Sequence, residues 1–221
     1  MPRFLFSFLF LLISFAASSQ MATIELEVKD IPEPVTRNKA VDEWNRSQKG
    51  FDDLLPESKA FLYWVNYCRY NPQMFWDSVF KPVMVAFPPL AGADSRSLYQ
   101  DLVNAGPLPM FSLNNTLIDL AQAHAVDITS HGKPPSHTST NGTDFGTRIK
   151  KAGIRSCANE NIAVSSQSVL LSVVLLYLDI GLREKGHRNS LLNPVLKETG
   201  IGSAPYGRDQ FFLVQDLSCA Q

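Results

Sequence analysis

The stretch Asn114-Asn-Thr-Leu-Ile-Asp-Leu-Ala-Gln-Ala-His-Ala-Val-Asp-Ile-Thr-Ser-His-Gly132 carries the clearest periodicity in the chain. Leu117, Leu120, Ala121, His124, Ala125 and Ile128 recur three and four residues apart, which gathers them on one face of a helix. Asn114 or Asn115 can cap its start by accepting from unpaired backbone N–H groups, and Gly132 ends it well. His124 lies on the apolar stripe and is expected to be a buried, hydrogen-bonded histidine. His131 sits at the helix end, where a cation complements the dipole. Neither needs a chemical role. Toward the C-terminus, Thr199 to Ala204 and Phe211 to Leu217 are β-prone runs joined by Tyr206-Gly-Arg-Asp209, which predicts a terminal hairpin.

Between that helix and the hairpin the pattern predicts three further elements. A short helix runs from about Asp144 to Ala152 and ends at Gly153, and Asn161-Ile-Ala-Val164 reads as a brief strand. Ser166 or Ser168 can cap the apolar stretch Val169 to Ile180, ended by Gly181. At about 12 residues that stretch falls short of the ~20 needed to span a bilayer, so it reads as a buried core helix. On the N-terminal side, Phe61, Leu62, Val65 and Cys68 recur at helical spacing from Pro56 until Asn71-Pro72 breaks the run. A short amphipathic piece covers Met74 to Phe80. Pro82, Pro88, Pro89, Gly92, Pro107 and Pro109 then punctuate what reads as a loop-rich connection. Helices come first and strands cluster late, which predicts an α+β fold with helices packed on a small antiparallel sheet.

With 45% hydrophobic and 19% charged residues the chain composition is that of an ordinary globular protein. Twenty Lys and Arg against 21 Asp and Glu leave a formal charge of −1, so no basic field draws in nucleic acid or anionic lipid. Arg3, the apolar run Phe4 to Phe15 and the small residues Ala16 to Ser19 follow the layout of a cleaved signal peptide, with processing near Ser19. The expected organisation is a leader at 1–19, a polar linker or loosely docked arm at 20–55 and one domain at 56–219. Three cysteines in an exported chain allow one disulfide. Cys157 and Cys219 are the expected pair, each at the edge of a predicted strand, with Cys68 packing as a small apolar residue in a helix.

Four polar features stand out: Ser136-His137, Asn159-Glu160-Asn161, Asp179, and Gly186-His187-Arg188-Asn189. No two lie three or four residues apart on one helix, so only a tertiary fold could unite them. Two histidines and two carboxylates are what a Zn²⁺ or Mg²⁺ site, or a general acid/base pair, would draw on.

The order and wording of these segments resemble the CAP domain, the cysteine-rich secretory protein or SCP-like extracellular module. The resemblance rests on Val65-Asn-Tyr-Cys-Arg69 with Asn71-Pro72 and Phe75, and on Leu120-Ala121, His124-Ala125 and Asp127-Ile128. It continues through Ser136-His137, Arg148 with Ala152-Gly153, and Glu160-Asn161-Ile162-Ala163. Gly186-His187-Arg188-Asn189, Leu192-Asn193-Pro194 and Gly200-Ile201-Gly202 complete it. It runs from about Glu57 to Leu217, and the scarcity of cysteines suits the bacterial-type branch. The resemblance implies an α-β-α sandwich and a cleft tetrad of His137, Glu160, Asp179 and His187. In it the two histidines hold Zn²⁺ or another divalent cation, with binding that weakens as pH falls through about 6. Leu176 and Asp179 stand where the family has Trp and an acid three residues on, so Glu184 competes with Asp179, and Asn159 replaces the usual glycine before the glutamate. The implied function is a secreted, extracellular or periplasmic binding module without enzymatic activity, its ligand a lipid or sterol. Two other readings stand beside it: a metal-dependent hydrolase of peptidase type with Glu160 as general base, and a structural surface protein with a vestigial cleft.

Overall fold

In the computed structural model the described residues are 24–155, 157–165 and 168–220. The expected leader at 1–19 and the alternative cap Ser166 lie outside them. Four strands form one sheet: β1 (Ser112–Leu113), β2 (Ala158–Ser165), β3 (Glu198–Tyr206) and β4 (Gln210–Ser218). Their order is β1-β3-β4-β2. β3 and β4 make the predicted hairpin, in which Tyr206 pairs with Gln210 and Gly207 takes φ 64° in the turn. β2 pairs antiparallel to β4 over its whole length, while the short β1 runs parallel to β3. The sheet is therefore mixed, because β1 enters it directly from the chain that leads into the next helix rather than through a hairpin.

Alternation along β4 gives the sheet two apolar faces. Phe212 and Val214 join Ala121, Ala125 and Ile128 of α6 (Asn115–Ser130) on one side. Leu213 and Leu217 point to the other, into the main core built with α2 (Pro56–Tyr70) and α8 (Val169–Leu178). Helix, sheet and helix thus form the three layers of an α-β-α sandwich. Asn114 caps α6 by accepting from the Leu117 N–H, and Ser168 caps α8 by accepting from the Leu171 N–H. α6 approaches β3 closely because two positions there carry no side chain. A Cβ at Gly200 would stand 2.0 Å from the Leu117 carbonyl carbon, and one at Gly202 would stand 2.3 Å from the Gln122 nitrogen.

The proline-punctuated stretch corrects the sequence reading most. In place of a loop-rich connection it holds α3 (Pro72–Phe75), a π turn (Trp76–Phe80), α4 (Lys81–Ala86), a 3₁₀ turn (Pro88–Leu90) and the 13-residue α5 (Ala93–Ala105). Pro82 does not break the run: it occupies the first turn of α4, where the preceding π turn already bonds Lys81 N–H to Trp76 O and no N–H is required of it. α5 opens with Gly92 N–H donating to Ser95 Oγ at 2.9 Å and buries Ser95, Leu98 and Leu102 at helical spacing. Upstream, α1 (Lys39–Arg46) buries Val41 and Asn45 against α2 and is fixed by Asn66 Nδ2 donating to Asn45 Oδ1 at 2.8 Å. Cys157 and Cys219 are joined, tying the start of β2 to the end of β4, and Cys68 is buried and free. Among the described residues no helix is long and apolar enough to cross a membrane.

Candidate functional site

The structure draws the four sequence candidates into two histidine–carboxylate pairs. His137 lies in the loop between α6 and α7 (Phe145–Lys151). Asp127 holds that loop by accepting from Thr140 N at 2.8 Å and from Thr140 Oγ1 at 2.5 Å. His124 holds it from beneath, its Nε2–H donating to Ser136 O at 2.8 Å and its Nδ1 meeting Ser139 Oγ at 3.4 Å. With 1% of its surface exposed and burial pushing its pKa down, His124 is the structural histidine its place on the stripe predicts. The loop presents His137 to β2, where its Nδ1–H donates to Glu160 Oε1 at 2.8 Å. The second Glu160 oxygen pairs with Arg148 of α7, which also donates to the His137 carbonyl at 2.9 Å. Burial alone would raise the Glu160 pKa. The hydrogen bond from His137 and the charge of Arg148 more than offset it and hold the carboxyl below its ordinary value.

The second pair lies on the opposite helical layer. Asp179 ends α8 in the left-handed region at φ 46°, and Lys185 precedes α9 (Gly186–Leu191) at φ 47°. The turn between them brings His187 back, so that its Nδ1–H donates to Asp179 Oδ1 at 2.5 Å while Arg188 N–H donates to Oδ2 at 3.0 Å. Asp179 is thus the carboxylate on His187. Glu184 is exposed and offers only its carbonyl, to Asn189 Nδ2. Both acids are sealed, at 1% side-chain exposure each, whereas the His137 and His187 side chains keep 35% and 19%. Asn159 Nδ2 donates to Ser190 Oγ at 2.9 Å, linking the strand that carries Glu160 to the helix that carries His187. Asn159, a departure from the resemblance, therefore has a structural use.

In each pair Nδ1 is committed to a carboxylate, so Nε2 is the nitrogen that could ligate a cation. A buried acid that orients an imidazole in this way is what surrounds metal-bound histidines in general. Among the described residues no three His, Cys, Asp or Glu side chains are grouped as they would be around an ion. His137 and His187 are the side chains that could hold a cation, and imidazole nitrogens would suit Zn²⁺ or another borderline divalent cation with water or ligand oxygens completing the set. Sequence reading missed two residues here. Arg148 was visible only as part of a motif. Asp216, buried directly across from Glu160 in the pairing of β4 with β2, had one signal: an acid where the alternation of Phe212 and Val214 calls for an apolar residue.

Fold and site together define an α-β-α sandwich that mounts two buried-acid histidine pairs around its sheet. The model of the CAP, or cysteine-rich secretory protein, family matches residues 58–217. The chain belongs to the CAP family. Solved structures with a likeness include an extracellular SCP-domain protein of Bacillus anthracis str. Ames, 24% identical, with 51% of this chain and 35% of that one covered at a TM-score of 0.38. This chain thus spans about a third of that protein's length. An outer surface protein of Borrelia burgdorferi is 20% identical over 58% of this chain and 93% of that one, TM-score 0.43. Venom allergen-like protein 4 of Schistosoma mansoni is 11% identical over 76% and 91%, TM-score 0.45. No curated protein matches the chain.

Proposed function

We propose that the protein is an exported, non-enzymatic binding module in which His137 and His187 hold a divalent cation, Zn²⁺ the leading one, and whose ligand is a lipid or sterol. The observation that carries this reading is the state of the two acids: both are buried and both spend an oxygen on a histidine Nδ1. Groups so placed orient imidazoles and raise their basicity as ligands. They are poor general bases, because Glu160 has its oxygens on His137 and Arg148 and its pKa is held down, leaving little affinity for a proton taken from water. This weighs against the hydrolase alternative. Export is supported by the leader-like N-terminus and by the Cys157–Cys219 bridge, since disulfides persist in oxidising compartments. The lipid or sterol part rests on the family resemblance.

The test is calorimetric titration of Zn²⁺ into the metal-stripped mature chain beside His137→Ala and His187→Ala. Binding near one equivalent that is lost in both variants is the expected result. A folded parent that takes up no metal, or variants that titrate like it, would sink the cation reading. Mass spectrometry of an organic extract of the purified chain reports separately on the lipid.

A further inference from the structure

β2 stands at one end of the sheet, paired with β4 alone, in unbroken register from Ala158 to Ser165. Cys219 N–H donates to Cys157 O at 3.0 Å, which makes 157 and 219 a hydrogen-bonded pair one step before the strand begins. Bonded and non-bonded pairs alternate along an antiparallel ladder, so Asn159, Asn161 and Ala163 turn their N–H and C=O groups to β4. Ala158, Glu160, Ile162 and Val164 turn theirs the other way. Among the described residues no backbone or side-chain group takes these outward donors and acceptors. The strand, Ala-Asn-Glu-Asn-Ile-Ala-Val-Ser, carries no Pro, Lys or bulge, the usual devices that blunt an edge.

The opposite edge of the same sheet is closed. β1 covers Glu198 and Thr199 there, and Asn114 N–H donates to Thr199 O at 3.0 Å. Gln122 of α6 imitates a strand on Ser203: its Nε2 donates to Ser203 O at 3.0 Å and its Oε1 accepts from Ser203 N–H at 3.1 Å. Pro205 follows and has no N–H to offer. The sheet thus caps one edge and leaves the other open.

We propose that the outer edge of β2 takes one extended segment of a partner polypeptide as a fifth strand. An extended backbone repeats its donors and acceptors every second residue, about 6.8 Å, which is the spacing of Ala158, Glu160, Ile162 and Val164. A lipid carries no such ladder. Ile162 and Val164 are half-buried on the α6 side of the strand and Ala163 lies on the other. Apolar residues at alternate positions of the segment would meet Ile162 and Val164. Glu160 meets His137 on one face and Asn159 meets Ser190 of α9 on the other, so both histidine-bearing layers flank the start of this edge. The inference uses main-chain groups and does not rest on the cation or lipid readings.

The probe is an acetylated, amidated peptide of alternating threonine and valine, titrated to about 1 mM into the ¹⁵N-labelled mature chain. A period-two response is expected. The amides of Ala158, Glu160, Ile162 and Val164 shift and gain protection from exchange, while those of Asn159, Asn161 and Ala163, already bonded to β4, change little. Shifts without that alternation, or none by that concentration, overturn the proposal. Versions N-methylated at the valines or at the threonines separate the two edges of the peptide. One should bind roughly tenfold more weakly or worse, having lost about two net hydrogen bonds, and a pair that binds alike overturns the ladder. Sedimentation of the free chain should show a monomer; a dimer whose formation protects the same four amides gives the edge to a second copy and overturns the partner segment. Ile162→Pro removes one outward N–H and none of the bonds to β4, so it should stay folded and lose the peptide. A folded variant that binds like the parent is equally fatal, and the wild-type titration decides without it.

Discussion

Replacing Gly200 by alanine adds one methyl group at the place where helix and sheet are closest. The new Cβ would stand 2.0 Å from the Leu117 carbonyl carbon and 2.1 Å from the Ile118 nitrogen, where ordinary contact begins at 3.4 Å. Both opposing atoms are backbone, so no rotamer change relieves the clash and α6 has to retreat by about 1.4 Å. A gap of 0.5–1 Å already forfeits roughly a quarter to a half of the dispersion energy of the atoms lining it. The layer of Ala121, Ala125, Ile128, Phe212 and Val214 would open along its length. Overpacking usually costs about 1–3 kcal/mol, and a backbone-on-backbone contact belongs at the top of that range or above it. For a chain of this size about 3 kcal/mol lowers Tm by roughly 6–12 °C. Thermal unfolding followed by circular dichroism reads it, with Gly186→Ala as the control. There the Cβ meets nothing within 4 Å and the residue is helical, so alanine should cost nothing and can add a few tenths of a kcal/mol up to about 1. A Gly200→Ala chain that melts with the parent would refute the claim that Gly200 sets the helix-to-sheet distance.

Two further outcomes follow from other contacts. Arg69, fully buried, spreads its guanidinium over the carbonyls of Pro109, Leu191, Asn193 and Leu196 and lies over the Phe111 ring. The point charge of lysine cannot reach that fan of acceptors, so Arg69→Lys should lower stability by about 3 kcal/mol; an unchanged urea midpoint would contradict this. At Asp127, burial would raise the pKa, but the hydroxyl and amide of Thr140 lower it on balance. Its hold on the His137 loop is then fully present above the unfolded value of about 3.9 and lost as pH falls through its own lower value. The Thr140 amide resonance should move with a midpoint below ~3.9 and stay still in Asp127→Ala, and a midpoint at or above 4 would reverse the sign.

The elements legible in sequence were those whose periodicity faces a single partner surface. α6, α8 and the β3–β4 hairpin each carry an uninterrupted apolar pattern with a cap or turn residue at the boundary. α5 was lost because Gly92 and Pro107 were read as loop punctuation when they bracket a helix, and Ser95, Leu98 and Leu102 already held its spacing. β1 is two residues long, too short for any alternation to register. The histidines and acids were visible as residues, but their partnership was not. The His187–Asp179 bond depends on two non-glycine residues held in the left-handed region, which no local pattern announces.

That missed helix matters to the site because the two imidazoles are mounted on different supports. His137 is fixed by α6, α7 and β2, through Asp127, Arg148 and Glu160. His187 is fixed by α5, α8 and α9. Asp94 at the start of α5 accepts from Gly181 N at 3.0 Å and from Lys185 Nζ at 2.6 Å, bracing the turn that carries the histidine. The next residue, Arg188, is buried and donates to Ser97 Oγ and Asp101 Oδ2 on α5 and to the carbonyls of Tyr177 and Leu178 on α8. Such a guanidinium fixes three helices as one block, since its planar fork cannot satisfy all these acceptors in any other arrangement. What joins that block to the first support near the site is Asn159 to Ser190, together with the packing of α8 on the sheet. The separation of the two imidazoles, which any shared cation would read, is therefore a property of how the two layers dock and not of either histidine's own surroundings. Substitutions at Asp94, Ser97 or Asp101 of α5, remote in sequence from both histidines, reach the site through the turn and the helix that carry His187.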